Sequence, residues 1–245
     1  MIDVDNLSHW YGSRRTAAPV RDLSCTFADG RINYVVGLNG TGKSTLLGCL
    51  SGSLRPRGGR VLVDGRELRG TDYPLRHVGS YLSAEDFSPQ HTGLRHLQWM
   101  CALAGAPVEK AEALVRAVGL EEASRRPIGG YSLGMRQRLG IASVLAGNPR
   151  NIVLDEPLNG LDIQGVWWLR ELFAAWAEEG RCVIVASHHL REVEATTEVA
   201  DASVTILSQG TALAHGSLED VIASTGAPDL ESCLLYTSPS PRDAT

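Results

Sequence analysis

With 245 residues and 43% hydrophobic composition, the chain can bury one large core or two small ones. A net charge of −5 gives no overall basic footprint for nucleic acid, and no apolar run of about 18 residues is available to cross a membrane. The five cysteines (Cys25, Cys49, Cys101, Cys182 and Cys233) lack C-x-x-C spacing, which argues against a zinc site or a disulfide framework and for a reducing cytosol. The acidic start, Met1 to Asp5, lacks the basic and apolar regions of a signal peptide.

In chain order, Ile2 to Tyr11 alternates like a half-exposed strand, and Val20 to Phe27 reads as a second strand. Arg31 to Val36 is a buried strand, followed by Gly37-Leu38-Asn39-Gly40-Thr41-Gly42-Lys43-Ser44-Thr45 and a helix to Leu50. Pro56 to Gly59 is a turn before a short strand, Arg60 to Val63, and the hairpin-like Asp64-Gly65. From about Thr92 the apolar spacing becomes helical, with helices over Leu94–Ala104, Val108–Val118 and Ser132–Gly147. A helical insertion over about 86–137 is therefore expected in an α/β domain.

The α/β pattern resumes at Ile152-Val153-Leu154, which ends in Asp155-Glu156-Pro157. A helix from Asp162 to about Glu179 follows, then the strand Cys182–Ala186, Ser187-His188-His189 and a helix through Val199. Strands over Ser203–Leu207 and Ala212–His215 and a short helix from Ser217 complete the pattern. One domain over 1–232 is expected. Residues 233–245 resemble the translation of a sequencing adapter joined to a truncated reading frame, with no pattern suited to packing, so the native C-terminus is expected to differ.

The stretch Gly37 to Ser44 fits the phosphate-binding pattern G-x-x-x-x-G-K-[ST]. Glycines let the backbone wrap a polyphosphate with its N–H groups inward, Lys43 reaches the β- and γ-phosphates, and Ser44 is suited to Mg²⁺. Lysine occurs only at Lys43 and Lys110 in this arginine-rich chain, so Lys43 stands where a compact ammonium is wanted. At the end of the later strand, Asp155 would hold Mg²⁺ and Glu156 would polarise an attacking water. The seven histidines contain no H-x-x-x-H pair, which argues against a protein metal cage.

These motifs, in this order, resemble those of the ATP-binding subunit of an ABC transporter over residues 1 to about 225. Tyr131-Ser132-Leu133-Gly134-Met135-Arg136-Gln137-Arg138 stands at the family's signature motif, Asn159-Gly160-Leu161-Asp162 at the D-loop, and Ser187-His188 at the switch-histidine loop. The resemblance implies a RecA-like P-loop core with an N-terminal antiparallel β subdomain and an inserted helical one. It implies ATP and Mg²⁺ as ligands, with Tyr11 stacking on adenine. It also implies a head-to-tail dimer, of two copies or with a homologous subunit, in which Ser132, Leu133, Gly134 and Met135 touch ATP held by the other subunit. Asp162 would couple the two sites. His188 would contact the γ-phosphate and the water, while His189 would point elsewhere as a structural residue.

Two departures from the family pattern are visible. Leu133 and Met135 replace the commonest signature residues in a form resembling the bacterial drug- and peptide-antibiotic-export branch. Ser83 stands where a Mg²⁺-contacting Gln is usual, with Glu85 and Asp86 close behind, so the metal shell is completed by Ser83, by Glu85 or by Asp86. Phe87 and Trp99 belong either to the core of the insertion or to a groove for the membrane subunit. The expected function is ATP-driven export through a separate integral membrane permease at the cytoplasmic face of the membrane, without nucleic acid. The alternative is a soluble ABC-type ATPase of translation or DNA maintenance; the chain lacks the tandem domains, coiled coils and zinc insertions usual in that class.

Overall fold

Along the central strands, alternate side chains go to opposite faces and build two separate cores. In the computed structural model, which describes residues 1–12, 18–83, 87–198 and 200–236, strands β1 (Ile2–His9), β2 (Val20–Phe27) and β4 (Gly58–Val63) form an antiparallel sheet in the order β2-β1-β4. Strands β3 (Arg31–Val36), β5 (Val78–Tyr81), β6 (Asn151–Asp155), β7 (Cys182–Ser187), β8 (Ala202–Ser208) and β9 (Thr211–Gly216) form the second sheet, ordered β5-β6-β7-β3-β8-β9. Its first five members are parallel, and β9 closes it antiparallel to β8.

A parallel sheet needs helices on its faces, so its strands read as continuous apolar runs; every residue of β7 is buried. Ile32, Tyr34, Ile152, Leu154, Val183 and Val185 face one core. It includes Leu169, Phe173 and Trp176 of helix α5 (Ile163–Glu178) and Val193 of α6 (Leu190–Thr197). Val35, Val153, Ile184 and Ala186 face the other, which is filled by Leu46, Leu47 and Leu50 of α1 (Lys43–Leu50) and by the antiparallel sheet.

Helices α2 (Gly93–Leu103), α3 (Lys110–Ala117) and α4 (Leu133–Val144) build a third core around Leu97, Leu114 and Leu139. Helix α4 runs past 137, the expected limit of the insertion, and its Ile141 and Val144 join the core of the large sheet, so this helix ties the two regions together. Thr92, Ser132 and Asp162 cap α2, α4 and α5, each accepting a backbone N–H three residues on. Phe87 stacks on Tyr81 and meets His96 edge-on, which puts it in the core; Trp99 is 55% exposed beside a groove with His91, Arg95 and Gln98.

Burial lowers His96 to about 4, with neighbouring His91 adding to the shift. The unfolded chain takes up that proton near 6.5, so unfolding binds a proton between the two values and stability falls as pH drops through that window. His96→Asn is expected to flatten the stability–pH curve between about pH 6.5 and pH 4, measured by urea melts.

Two expectations are corrected. Residues from 233 on were expected to lack packing, yet helix α8 (Leu230–Tyr236), after α7 (Leu218–Thr225), places Leu230, Cys233 and Leu234 in the main core. Their i, i+3, i+4 spacing is a helical stripe. Val78–Tyr81, not among the strands expected from the sequence, is a strand paired with β6. The expected helix through Val199 ends at Thr197; Val199 and residues 237–245 lie outside the described residues.

Candidate nucleotide site

The site is built at the C-terminal edge of the parallel sheet, where β3 runs between β7 and β8 and its loop turns into α1. Two glycines are demanded sterically. A Cβ on Gly37 would lie 2.4 Å from the Leu207 carbonyl oxygen. One on Gly42, whose φ is +105°, would lie 1.9 Å from the Pro19 carbonyl oxygen. Gly42 stands at the N-cap of α1 with no side-chain cap, so the amides and positive dipole end of this helix are left for an anion. Lys43, 7% exposed, donates to the carbonyls of Gly37 (2.7 Å) and Leu38 (3.3 Å), which stretches its ammonium along the loop.

Asp155 and Glu156 follow β6, and β6 pairs in parallel with β7 so that Asp155 lies opposite Ala186. That register brings Ser187 and His188 alongside Glu156. The Glu156 amide donates to the Ala186 carbonyl (3.0 Å), and its carboxylate lies 2.8 Å from His188 Nδ1. Asp155 accepts the Ser44 hydroxyl, joining the strand end to α1. A cavity of about 570 Å³ opens between these groups, lined by Asn39, Gly40, Lys43, Ser44, Thr45, Asp155 and Glu156, with Ser83 on its wall. That volume lies within the ordinary range for small-ligand sites. Tyr11, 59% exposed, holds its hydroxyl 3.2 Å from Thr45 Oγ1 and meets His9 edge-on, presenting a ring beside the loop.

The charges follow from this packing. Burial pushes the Asp155 carboxyl above the ordinary carboxylate range and Glu156 adds to the push, while the Ser44 hydroxyl and Lys43 oppose it. The folded chain therefore holds that proton to higher pH than the unfolded chain does, and stability falls as pH rises from the ordinary value through the folded one. Asp155→Asn is expected to raise the melting temperature of the nucleotide-free protein at about pH 7–8 and to lose that advantage below about pH 4. The same change should abolish metal-dependent hydrolysis. Ser44 Oγ and the Asp155 carboxylate are hard oxygen donors, a set that suits Mg²⁺.

The remaining predicted residues fall around this centre. Ser132 caps α4 by accepting the Met135 amide, and Leu133 lies on the rim of this same chain's cavity, packed over Gly160. Gly134 approaches the Gly160 carbonyl closely enough that a Cβ would sit 3.3 Å from it. Thr41 supports the loop by donating to Leu38, and Asp162 accepts the Gly165 amide (2.7 Å). Glu85 and Asp86 lie outside the described residues.

His189 stands at the start of α6 as expected, but it does not point away from His188. Its ring lies 4.2 Å from that of His188, and its Nε2 sits 2.9 Å from Asn159 Oδ1. Gln137, whose Nε2 donates to the Asn159 carbonyl (2.8 Å), was also missed as a wall of the site. The adjacent histidines were visible in the sequence; the meeting of His189 with Asn159 depends on β6 and β7 being neighbours.

A phosphate loop, a strand-end Asp-Glu pair and a histidine converging at one sheet edge define a P-loop nucleotide-hydrolysing domain with an inserted helical region. Residues 20–159 match the model of the ABC transporter family. The chain belongs to the ABC transporter family, as its ATP-hydrolysing subunit. It is 33% identical over 194 residues, 79% of this chain and 82% of the relative, to the lantibiotic transport ATP-binding protein SrtF of Streptococcus pyogenes. It is 33% identical over 205 residues, 81% of this chain and 65% of the relative, to the bacitracin transport ATP-binding protein BcrA of Enterococcus faecalis. In fold it is similar to a solved ATP-binding subunit of an ABC transporter, with a TM-score of 0.85 at 24% identity over 98% of this chain and all of that one. A dimeric structure of MJ0796, a bacterial ABC transporter cassette, matches with a TM-score of 0.79 at 21% identity over 89% of this chain and 99% of that one.

Proposed function

We propose that this chain powers export of a peptide antibiotic or related drug through a separate integral membrane permease, working as a head-to-tail pair with a second copy or a homologous subunit. The observation that carries the chemistry is a cavity lined by Lys43, Ser44, Asp155 and Glu156, with His188 Nδ1 2.8 Å from the Glu156 carboxylate. The export direction and cargo class rest on the likeness to SrtF and BcrA. Mg²⁺, held by Ser44 and Asp155 with Ser83 on the cavity wall, would neutralise charge on the phosphates.

Glu156 takes the proton of a water as its oxygen bonds to the γ-phosphorus and the β–γ bridging bond breaks, leaving ADP and phosphate. His188, 2.8 Å from the Glu156 carboxylate, orients that carboxylate and reaches the γ-phosphate. Tyr11 stacks on the adenine. The N-terminus of α4, with Ser132 and the Gly134 amide, would serve the partner's ATP. Exposed Leu38 (47%) in the loop and Leu133 (47%) on the cavity rim support a covered face. Trp99 and its groove of about 360 Å³ suit a coupling helix from the permease, which would hold the subunit at the cytoplasmic face of the membrane.

Among the described residues no helix is long and apolar enough to cross a membrane, so the reading needs that partner. Co-purification with the membrane protein encoded beside it, followed by ATPase assays with candidate peptides, tests it. Cargo-stimulated turnover supports the reading; association with ribosomes and no membrane protein overturns it.

A further inference from the structure

We propose that Glu156, His188 and His189 form an inhibitory site for Zn²⁺ or a like-sized borderline divalent ion. A carboxylate oxygen of Glu156 and one ring nitrogen from each histidine lie within 4.8 Å of one another. Two imidazoles and a carboxylate are a donor set for Zn²⁺, Co²⁺ or Ni²⁺, whereas Mg²⁺ prefers oxygen ligands and water. The site therefore differs in kind from the Ser44–Asp155 oxygen pair.

The geometry is close to what such an ion requires. Bonds of about 2.0–2.1 Å in a tetrahedral shell place ligand atoms about 3.4 Å apart. The His188 Nδ1–Glu156 pair stands at 2.8 Å, so seating the ion needs adjustments on the order of 1 Å in exposed side chains. His188 is 46% exposed and free to make that shift. Asn159 Oδ1 already holds the His189 ring at Nε2, 2.9 Å away, and fixes its orientation as an outer partner does in metal centres. Three protein ligands leave a fourth position for water.

The consequence rests on the proposed hydrolysis at Glu156. An ion there occupies the carboxylate that would accept the water's proton and the nitrogen that would reach the γ-phosphate. ATP remains bound on Lys43 and Ser44, and turnover stops. His189 is the residue that separates this site from the hydrolytic one, since nothing in the hydrolytic step uses it.

The test uses the full chain without an affinity tag and without nucleotide, titrated with Co²⁺ and followed by visible d–d absorption, then displaced by Zn²⁺. A four-coordinate Co²⁺ band that Zn²⁺ removes, absent in Glu156→Gln and weakened about tenfold or more in affinity in His189→Ala and His189→Gln, supports the site. No band, or a band that is unchanged in all three variants, overturns it. A second arm measures Zn²⁺ inhibition of Mg²⁺-ATP turnover: a half-inhibitory concentration about tenfold or more higher in His189→Ala is expected, and an unchanged one overturns the inhibitory role. Circular dichroism melts verify that each variant folds. The Co²⁺ readout needs no hydrolysis, so an inactive chain that still shows the band removes only the proposed function, and an active chain without it removes only the metal site.

Discussion

Glu156→Gln is expected to lower ATP turnover by about 10²–10⁴-fold, the range associated with a positioned proton acceptor, while leaving ATP bound. The amide keeps the shape of the carboxylate and its place against His188, 2.8 Å from Nδ1, but cannot take a proton from water. Lys43, Ser44 and the loop amides are untouched, so the substituted chain should load ATP and remain loaded. In a head-to-tail pair it should therefore accumulate as an ATP-bound dimer. Turnover measured with Mg²⁺-ATP, together with light scattering in the presence of ATP, checks both parts. Wild-type turnover in the variant would remove Glu156 as the acceptor, and a monomer under saturating ATP would remove the trapped pair.

Lys43→Ala is expected to weaken ATP binding by about 10²–10³-fold, from the loss of charge-assisted bonds worth about 1.5–3 kcal/mol each. The ammonium is nearly buried and lies between the Gly37 and Leu38 carbonyls, in line with the phosphate cradle. Its removal takes away the one positive side chain inside the loop and leaves those carbonyls without their donor. Lys43→Arg should restore little, because a planar fork does not fit a slot shaped for a point charge. Calorimetric titration with ATP measures both variants, and near-native affinity in Lys43→Ala would contradict the placement of the phosphates.

The phosphate loop was legible because its chemistry is contiguous: Gly37, Gly42, Lys43 and Ser44 lie within one turn of chain, and two of them answer to steric demands visible in the fold. Strands β2 and β3 were readable end to end, and the starts of α2, α4 and α5 were legible near Thr92, Ser132 and Asp162. What escaped the sequence depends on neighbours distant in the chain. Strand β5 is a four-residue edge whose identity comes from pairing with β6, more than sixty residues on. Helix α8 was missed although Leu230, Cys233 and Leu234 carry a helical stripe, because its second half was assigned to a tail. His189 was expected to point elsewhere because strand order, not spacing, sets Asn159 beside it.

In the proposed head-to-tail pair, each ATP is hydrolysed between the phosphate loop of one chain and the Ser132–Met135 stretch of the other. Mixing Lys43→Ala with Ser132→Arg tests this most directly, since each variant alone should be inactive. In a head-to-tail heterodimer one site combines both defects and the other combines neither, so random mixing should restore about one quarter of the wild-type turnover. A mixture no more active than either variant alone would contradict it.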